Sequence, residues 1–416
     1  MFISEYSFAK SDKIFIYCVL IFGVCGRGLG SSCSSYKGDF SFVKAEIDRF
    51  SHYDRNKNGR LDWREFNSIY RDLFRNDKTG QQYDLPQSVG DDIFEVFDQN
   101  SDGAIDRGEF IPCASEWIAP LKHPRSAFLA IDVQNDFISG PLNISSFPAG
   151  HNGKDVVEPI NQVLRTVHFG NVYFAMDYHP ANHSSFIENV HLRELDPSSE
   201  VSAANAKVFD TVVFKGPPKE TQKLWPRHCV QGTWGSDLHK DLILPNGTVR
   251  IFKGTKDDVD SYSAFWDNNK LSETALNALL RKDGVTNVYI AGLAYDVCVR
   301  ASALDALKLG YNTILIDDCS RGLDPAGIEA TRKSVLENHG LVVNSTEVKD
   351  MVDGMDRRPE LGFKLALTLK RKTALTLKRK TENENERPEK RISSVHGKKR
   401  TVILIVATVK GTALGC

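Results

Sequence analysis

The chain has 416 residues, 41% of them hydrophobic, and a formal net charge of -1. At roughly 150 residues per domain this length implies two or three domains with ordinary cores, and the near-zero charge supplies no field to gather nucleic acid or an anionic membrane. Eight cysteines lie scattered with no CxxC pair, which excludes a disulfide scaffold and a cysteine-rich zinc module.

Residues 1–35 read as an extension. Within it, Ile14 to Val24 is an apolar run behind Lys10 and Lys13. The run is too short to span a bilayer, and it fits both a secretory signal segment and an extension that packs on the body.

Residues 36–120 read as a small all-α unit around two acidic loops. Calcium takes about six to eight oxygen ligands. The first loop offers the side chains of Asp54, Asn56 and Asn58, the carbonyl of Arg60 and a bidentate Glu65. The second offers Asp98, Asn100 and Asp102, the carbonyl of Ala104 and Glu109. Gly59 and Gly103 sit where the loop must turn sharply. Phe40, Val43, Ile47 and Phe50 precede the first loop at helical spacing, Phe66, Ile69 and Leu73 follow it, and Ile93, Phe94 and Phe97 precede the second. This is the helix–loop–helix pattern of an EF-hand pair, with Leu61 and Ile105 placed to join the loops through a short β contact. Two full matches in tandem leave a chance Asp/Asn-rich turn a poor alternative, so calcium is the expected ligand.

Residues 121–125 read as a linker, and 126–350 alternate short β-rich runs with helical stretches. Phe128–Ile131 runs into Asp132, Val172–Met176 into Asp177 with His179 beyond it, Val249–Phe252 into Lys253, and Val288–Ala291 into a turn ahead of Cys298. Further strands are predicted at Thr313–Ile316 and Leu341–Val343. The pattern predicts an α/β fold, a parallel sheet with helices on both faces. Ligands of such sheets bind beyond the carboxyl ends of the strands, so an Asp, a Lys, a Cys and a candidate metal site should gather at one edge. Cys298, in the first turn of a helix, would have its thiol pKa lowered there, and free N–H groups could receive an oxyanion. Asp132 is a candidate base and Lys253 a cation that tunes both. Asp177 and His179 can reach one ion, His183 follows four residues later, and a second cluster, Trp225-Pro-Arg-His228-Cys229, lies in a loop-like region rich in Pro and Gly. Imidazole and carboxylate suit zinc, iron or manganese. Each residue alone has an ordinary reading, as a solvated loop residue or a core cysteine. Their joint placement at strand ends outlines a cysteine hydrolase.

After residue 355 the character changes. Ala-Leu-Thr-Leu-Lys-Arg-Lys-Thr occurs at 366–373 and again at 374–381, followed by Glu/Asn-rich and basic stretches. Residues 355–416 read as an unstructured low-complexity tail, favoured over a nuclear-localisation patch. Val402 to Val409 is too short for a membrane anchor.

The motifs Ala-Ile-Asp132-Val-Gln-Asn-Asp136-Phe137, Asp177-Tyr-His179-Pro, Trp225-Pro-Arg-His228-Cys229, Lys253-Gly through Tyr262-Ser-Ala-Phe265, and Gly292-Leu-Ala-Tyr-Asp-Val-Cys298-Val resemble the nicotinamidases of the isochorismatase-like hydrolase family. An EF-hand pair ahead of such a domain resembles the animal, including insect, nicotinamidases. The resemblance implies hydrolysis of nicotinamide to nicotinate and ammonia in NAD salvage, with Cys298 as nucleophile, Asp132 as proton carrier and Lys253 as third member of the triad. It implies Asp177, His179 and His228 as ligands of zinc (or iron or manganese), with His183 a ligand in some members only and Asp260 an acidic group behind them. Leu293-Ala294 matches a cis peptide beside the oxyanion hole, and Phe137, Trp225 and Tyr262 match the aromatic walls of the pocket. Nicotinamide and calcium are then the expected partners, without nucleic acid or membrane, and a homo-oligomer is allowed. A working thiol favours the cytoplasm, with the nucleus or, through a cleaved leader, secretion as alternatives. Two rival functions stay open: another isochorismatase-like amidohydrolase, and a calcium-binding scaffold with an inactive hydrolase domain.

Overall fold

The computed structural model describes residues 41–385. The apolar run at 14–24 and the one at 402–409 lie outside them. The first described unit is helical around two loops. Strands β1 (Arg60–Asp62) and β2 (Ala104–Asp106) pair antiparallel with Leu61 opposite Ile105, both fully buried. Asp62 and Asp106 each begin the next helix by accepting the N–H of Glu65 or Glu109, and that glutamate returns a bond to the cap backbone. Such reciprocal caps satisfy N–H groups that the first helical turn leaves free. The core of the unit is aromatic. Trp117 packs among Phe66, Tyr70, Phe74 and Phe97.

The junction predicted at 121–125 is the turn between the helix Ala119–Lys122 and strand β3 (Ser126–Ile131). Strands β4 (Asn171–Asp177), β7 (Val249–Lys253), β8 (Asn287–Gly292), β9 (Asn312–Ser320) and β10 (Leu341–Val343) complete a six-stranded sheet. β5 (Thr211–Phe214) and β6 (Glu220–Lys223) form a separate hairpin that the sequence reading missed. The sheet order is β10-β9-β8-β3-β4-β7, and every pair is parallel. β3 is central, and the chain leaves it first toward β4 and later toward β8. That reversal places a crevice beyond the ends of β8, β3, β4 and β7.

Side chains alternate across the sheet, as strand geometry requires. Phe128 and Ala130 face Val157, Ile160 and Val163 of the helix Val157–Thr166, and Met351 of the helix Ser345–Val352. Ala127, Leu129 and Ile131 face Leu280, Ala303 and Leu307 of the helices Leu276–Lys282 and Arg300–Leu309. Because both faces are covered, β3 and β8 are buried along their whole length, as parallel strands usually are.

The expectation of an unstructured tail from 355 is corrected for its first half. Pro359–Asn385 is one helix. Leu361, Ala366 and Leu369 are buried in the core shared by the EF-hand unit and the sheet. Trp117 donates its indole N–H to the Gly362 carbonyl at 2.8 Å, and Thr368 Oγ1 donates to the Gly310 carbonyl at 3.5 Å. The first copy of the repeat is therefore a packed helix. In the second copy Leu375 is exposed.

Candidate active site

Lys253 is the hub of the site and is fully buried. Its ammonium lies 2.5 Å from Asp177 Oδ1, 2.9 Å from Asp132 Oδ2, 3.1 Å from the Ser261 carbonyl and 3.5 Å from Cys298 Sγ. Four strand ends thus converge: Asp132 after β3, Asp177 on β4, Lys253 on β7 and Cys298 after β8. Asp132 holds φ at +51°, a left-handed conformation that Asp tolerates better than most residues. Its carboxylate is ion-paired with the Lys253 ammonium and faces the Cys298 thiol.

Electrostatics follow from burial. Against the cost of burial, Asp132 and Asp177 hold the Lys253 ammonium well above its usual range. Burial pushes the Asp132 carboxyl up to about 7, with Lys253 opposing. The predicted depression of the Cys298 thiol is not borne out. Burial pushes it well up, Lys253 pulls the other way, and the carboxylates of Asp132 and Asp177 add to the rise. The short turn Tyr295–Val299 at the start of its helix does not overcome this desolvation. Forming the thiolate against this desolvation calls for a neighbouring base.

Beside this group, His179 Nε2 lies 3.5 Å from Asp177 Oδ2 and His228 Nε2 lies 3.8 Å from the same oxygen. The other ring nitrogens are already committed. His179 Nδ1 bonds the Gly254 carbonyl at 2.8 Å and His228 Nδ1 bonds the Pro226 carbonyl at 2.7 Å. A carbonyl only accepts, so both Nδ1 atoms carry hydrogen, and both Nε2 atoms, turned toward Asp177, are the ones that would ligate an ion. Two imidazole lone pairs and a carboxylate oxygen, all buried and mutually within 4.8 Å, form a donor set that fits a divalent transition ion. Gly254 holds φ at +61°, and a Cβ there would sit 2.3 Å from His179 Cε1, so only glycine lets the loop close on this ring.

His183 is buried 4.1 Å, ring to ring, from His179. Its Nδ1 pairs with Ser185 Oγ at 2.7 Å. It clusters with His179 and Asp260, apart from the Asp177–His179–His228 set. Asp260 accepts from Ser261 N–H and Gln222 Nε2. Cys229 is fully buried, and burial pushes its thiol well up.

A cleft opens onto Cys298 and Asp177, and Phe137, Trp225, Tyr262 and His228 line it. Trp225 Nε1 donates to Tyr262 Oη at 3.4 Å. Leu142, Ile144, Val297 and Leu323 complete the wall. Sequence reading missed these four, since nothing separates a pocket leucine from a core leucine in a single chain. The peptide expected to be cis is not. The described cis bonds are Gly216–Pro217 and Pro217–Pro218. Leu293 N–H donates to the Ile131 carbonyl, and the Ala294 carbonyl accepts from Val297 and Val299. Leu293 N–H being committed, Ala294 N–H is the remaining oxyanion donor of the two.

In the EF-hand unit each loop is closed on its own acidic residues. Asp54 accepts from Asn58 and Gly59 N–H, and Glu65 from Arg55 and Asn56. Asp98 and Glu109 do the same in the second loop. Asn56 and Asn100 accept from the loop backbone as well. Arg60 reaches across to Asp102 at 2.7 Å.

Both described units match known protein families. Residues 126–348 match the Isochorismatase domain and residues 47–113 an EF-hand domain pair. The nicotinamidase of Acinetobacter baylyi is 37% identical over 202 residues, 48% of this chain and 83% of that protein. The nicotinamidase of Saccharomyces cerevisiae is 32% identical over 222 residues, 52% of this chain and 97% of that protein. Among solved structures, a nicotinamidase/pyrazinamidase of Acinetobacter baumanii superposes with a TM-score of 0.46 at 32% identity, covering 54% of this chain and 98% of that one.

Proposed function

We propose that this chain, which belongs to the isochorismatase-domain family and within it to the nicotinamidases, hydrolyses nicotinamide to nicotinate and ammonia, a step of NAD salvage. The observation that carries the reading is the buried Lys253 ammonium, 2.9 Å from Asp132 and 3.5 Å from Cys298 Sγ, at the floor of an aromatic cleft.

An amide carbon is a poor electrophile, so the site must make a strong nucleophile and receive an oxyanion. Asp132, with a carboxyl near neutrality, takes the Cys298 proton. Lys253 offsets the negative charge that appears on sulfur. The thiolate adds to the amide carbon, and the oxygen becomes an anion facing Ala294 N–H and the helix start at Cys298. Asp132 then gives its proton to the leaving nitrogen, the C–N bond breaks and ammonia departs, leaving a thioester on Cys298. Asp132 next takes a proton from water. The hydroxide adds to the thioester, the C–S bond breaks and Asp132 returns its proton to sulfur; the nicotinic acid released ionises to nicotinate, its proton going to the ammonia in solvent. Phe137, Trp225 and Tyr262 hold the pyridine ring flat in the cleft. Asp177, His179 and His228 would hold a divalent ion, zinc by preference for this N/O set, whose chemistry is to draw charge from the ring and fix its orientation. Calcium is the proposed occupant of the two EF-hand loops, and the cytoplasm the proposed compartment.

Ammonia release by the purified full chain tests the reading. Nicotinamide should be turned over, Cys298→Ala should abolish release, and chelation of the transition ion should lower it. Release from a carbamoyl compound but not nicotinamide would move the chain to another amidohydrolase of the family. Release from no amide would favour the scaffold reading.

A further inference from the structure

The segment just after Asp132 makes contacts that the chemistry above does not use. Gln134 is fully buried. Its side-chain Oε1 accepts from Asp177 N–H at 2.8 Å, while its Nε2 donates to the Asp177 carbonyl at 2.8 Å and to the Ser236 carbonyl at 2.9 Å. One amide thus takes both backbone groups of a metal-site residue. The reason lies in the sheet. β3 pairs with β4 only as far as Ile131 opposite Ala175, and β3 then turns away at Asp132. The Gln134 side chain stands in for the missing strand and adds one more rung beside Asp177.

Two residues on, Asp136 is buried and its Oδ2 accepts Cys229 N–H at 2.7 Å. Cys229 holds φ at +45°, uncommon for a residue with a side chain and one that costs about 1–3 kcal/mol unless the surroundings enforce it. Cys229 directly follows His228. The Asp136 carboxyl is wedged so tightly that a Cβ on Gly235 would lie 2.0 Å from it. Asp136 therefore fixes the bend that aims His228.

The geometry points to Gln134 and Asp136 as positioning residues that hold the backbones of Asp177 and His228 at ion-binding separation, and so set the affinity for the divalent ion. The inference rests on reading Asp177, His179 and His228 as ligands. Partners behind metal ligands commonly control affinity by roughly 10–100-fold.

The test is zinc affinity of the full chain, measured by competition with a chromophoric chelator, with circular-dichroism melting in parallel. Gln134→Glu keeps the shape and the acceptor but sets a carboxylate against two carbonyls. Asp136→Ala removes the acceptor, and Asp136→Asn restores one. Gln134→Glu and Asp136→Ala should each bind zinc roughly 10–100-fold more weakly with a near-native melt, and Asp136→Asn should bind within a few-fold of the parent. Parent-like affinity in both Gln134→Glu and Asp136→Ala overturns the proposal, as does Asp136→Asn binding as weakly as Asp136→Ala. Loss of the native melt in Gln134→Glu and Asp136→Ala counts against it too, by making the two residues general supports. Asp177→Asn separates the two levels. If it alone loses zinc, the ligands stand and the positioning role falls; if it keeps zinc, the ligand reading itself fails.

Discussion

Arg357→Ala should loosen the EF-hand unit from the hydrolase domain while leaving the catalytic geometry in place. Arg357 is only 5% exposed. Its guanidinium donates to the Leu73 carbonyl at 2.7 Å, to the Gly354 carbonyl at 2.6 Å, and to both oxygens of Asp77 at 2.6 and 3.0 Å. Truncation leaves the buried Gly354 carbonyl without that donor, about 1–3 kcal/mol, and takes from Leu73 one of two donors, about 0.5–1.5 kcal/mol. Asp77 is one-third exposed, so its pair adds no more than about 1 kcal/mol. The expected cost is about 1.5–5.5 kcal/mol. Calorimetry of the full chain should show an early transition splitting from the main one, since two units losing their contact no longer unfold as one. Ammonia release at 25 °C per folded molecule should hold. A melt superimposable on the parent would refute the reasoning, because it would mean that the buried guanidinium contributes nothing to docking.

The remaining expectations concern titration and calcium. Burial pushes the Glu220 carboxyl up to about 7, above its unfolded value of about 4.5. A raised carboxyl leaves stability whole below the unfolded value and erodes it as pH climbs through 7. Glu220→Gln should therefore match the parent near pH 4 and exceed it by roughly 1–2 kcal/mol at pH 8. Urea melts at the two pH values check this, and an equal difference at both would contradict it. Calcium at about a hundred times its dissociation constant should stabilise the EF-hand transition by about 2.7 kcal/mol for each occupied loop, about 5.4 kcal/mol for the pair. An unmoved transition at millimolar calcium in scanning calorimetry would remove calcium from the account.

Much of the site was legible because its residues end strands. A short apolar run followed by Asp132, Asp177 or Lys253 marks both a strand and its active edge, and the EF-hand loops state their ligands at fixed spacing. What was not legible depends on distant surfaces. Leu361, Ala366 and Leu369 lie in a repetitive basic stretch whose composition suggests no core, yet they fit a face made partly by the EF-hand unit 250 residues earlier. The Cys298 thiol could not be assigned from helix position alone, because full burial outweighs the end of a short turn. The Leu293–Ala294 peptide was expected to be cis from likeness to relatives, and the bonds of Leu293 N–H and the Ala294 carbonyl close the turn otherwise. Gln134 and Asp136 stood inside a quoted motif, but a side chain that replaces a missing strand shows itself only once the sheet is built.

The acyl-enzyme tests the proposed chemistry most directly. Rapid acid quench of the full chain with nicotinamide, followed by peptide mass spectrometry, should find a nicotinoyl group on Cys298 in the parent and none in Cys298→Ala. A nicotinoyl group on another residue, or undiminished ammonia release without Cys298, would contradict the mechanism.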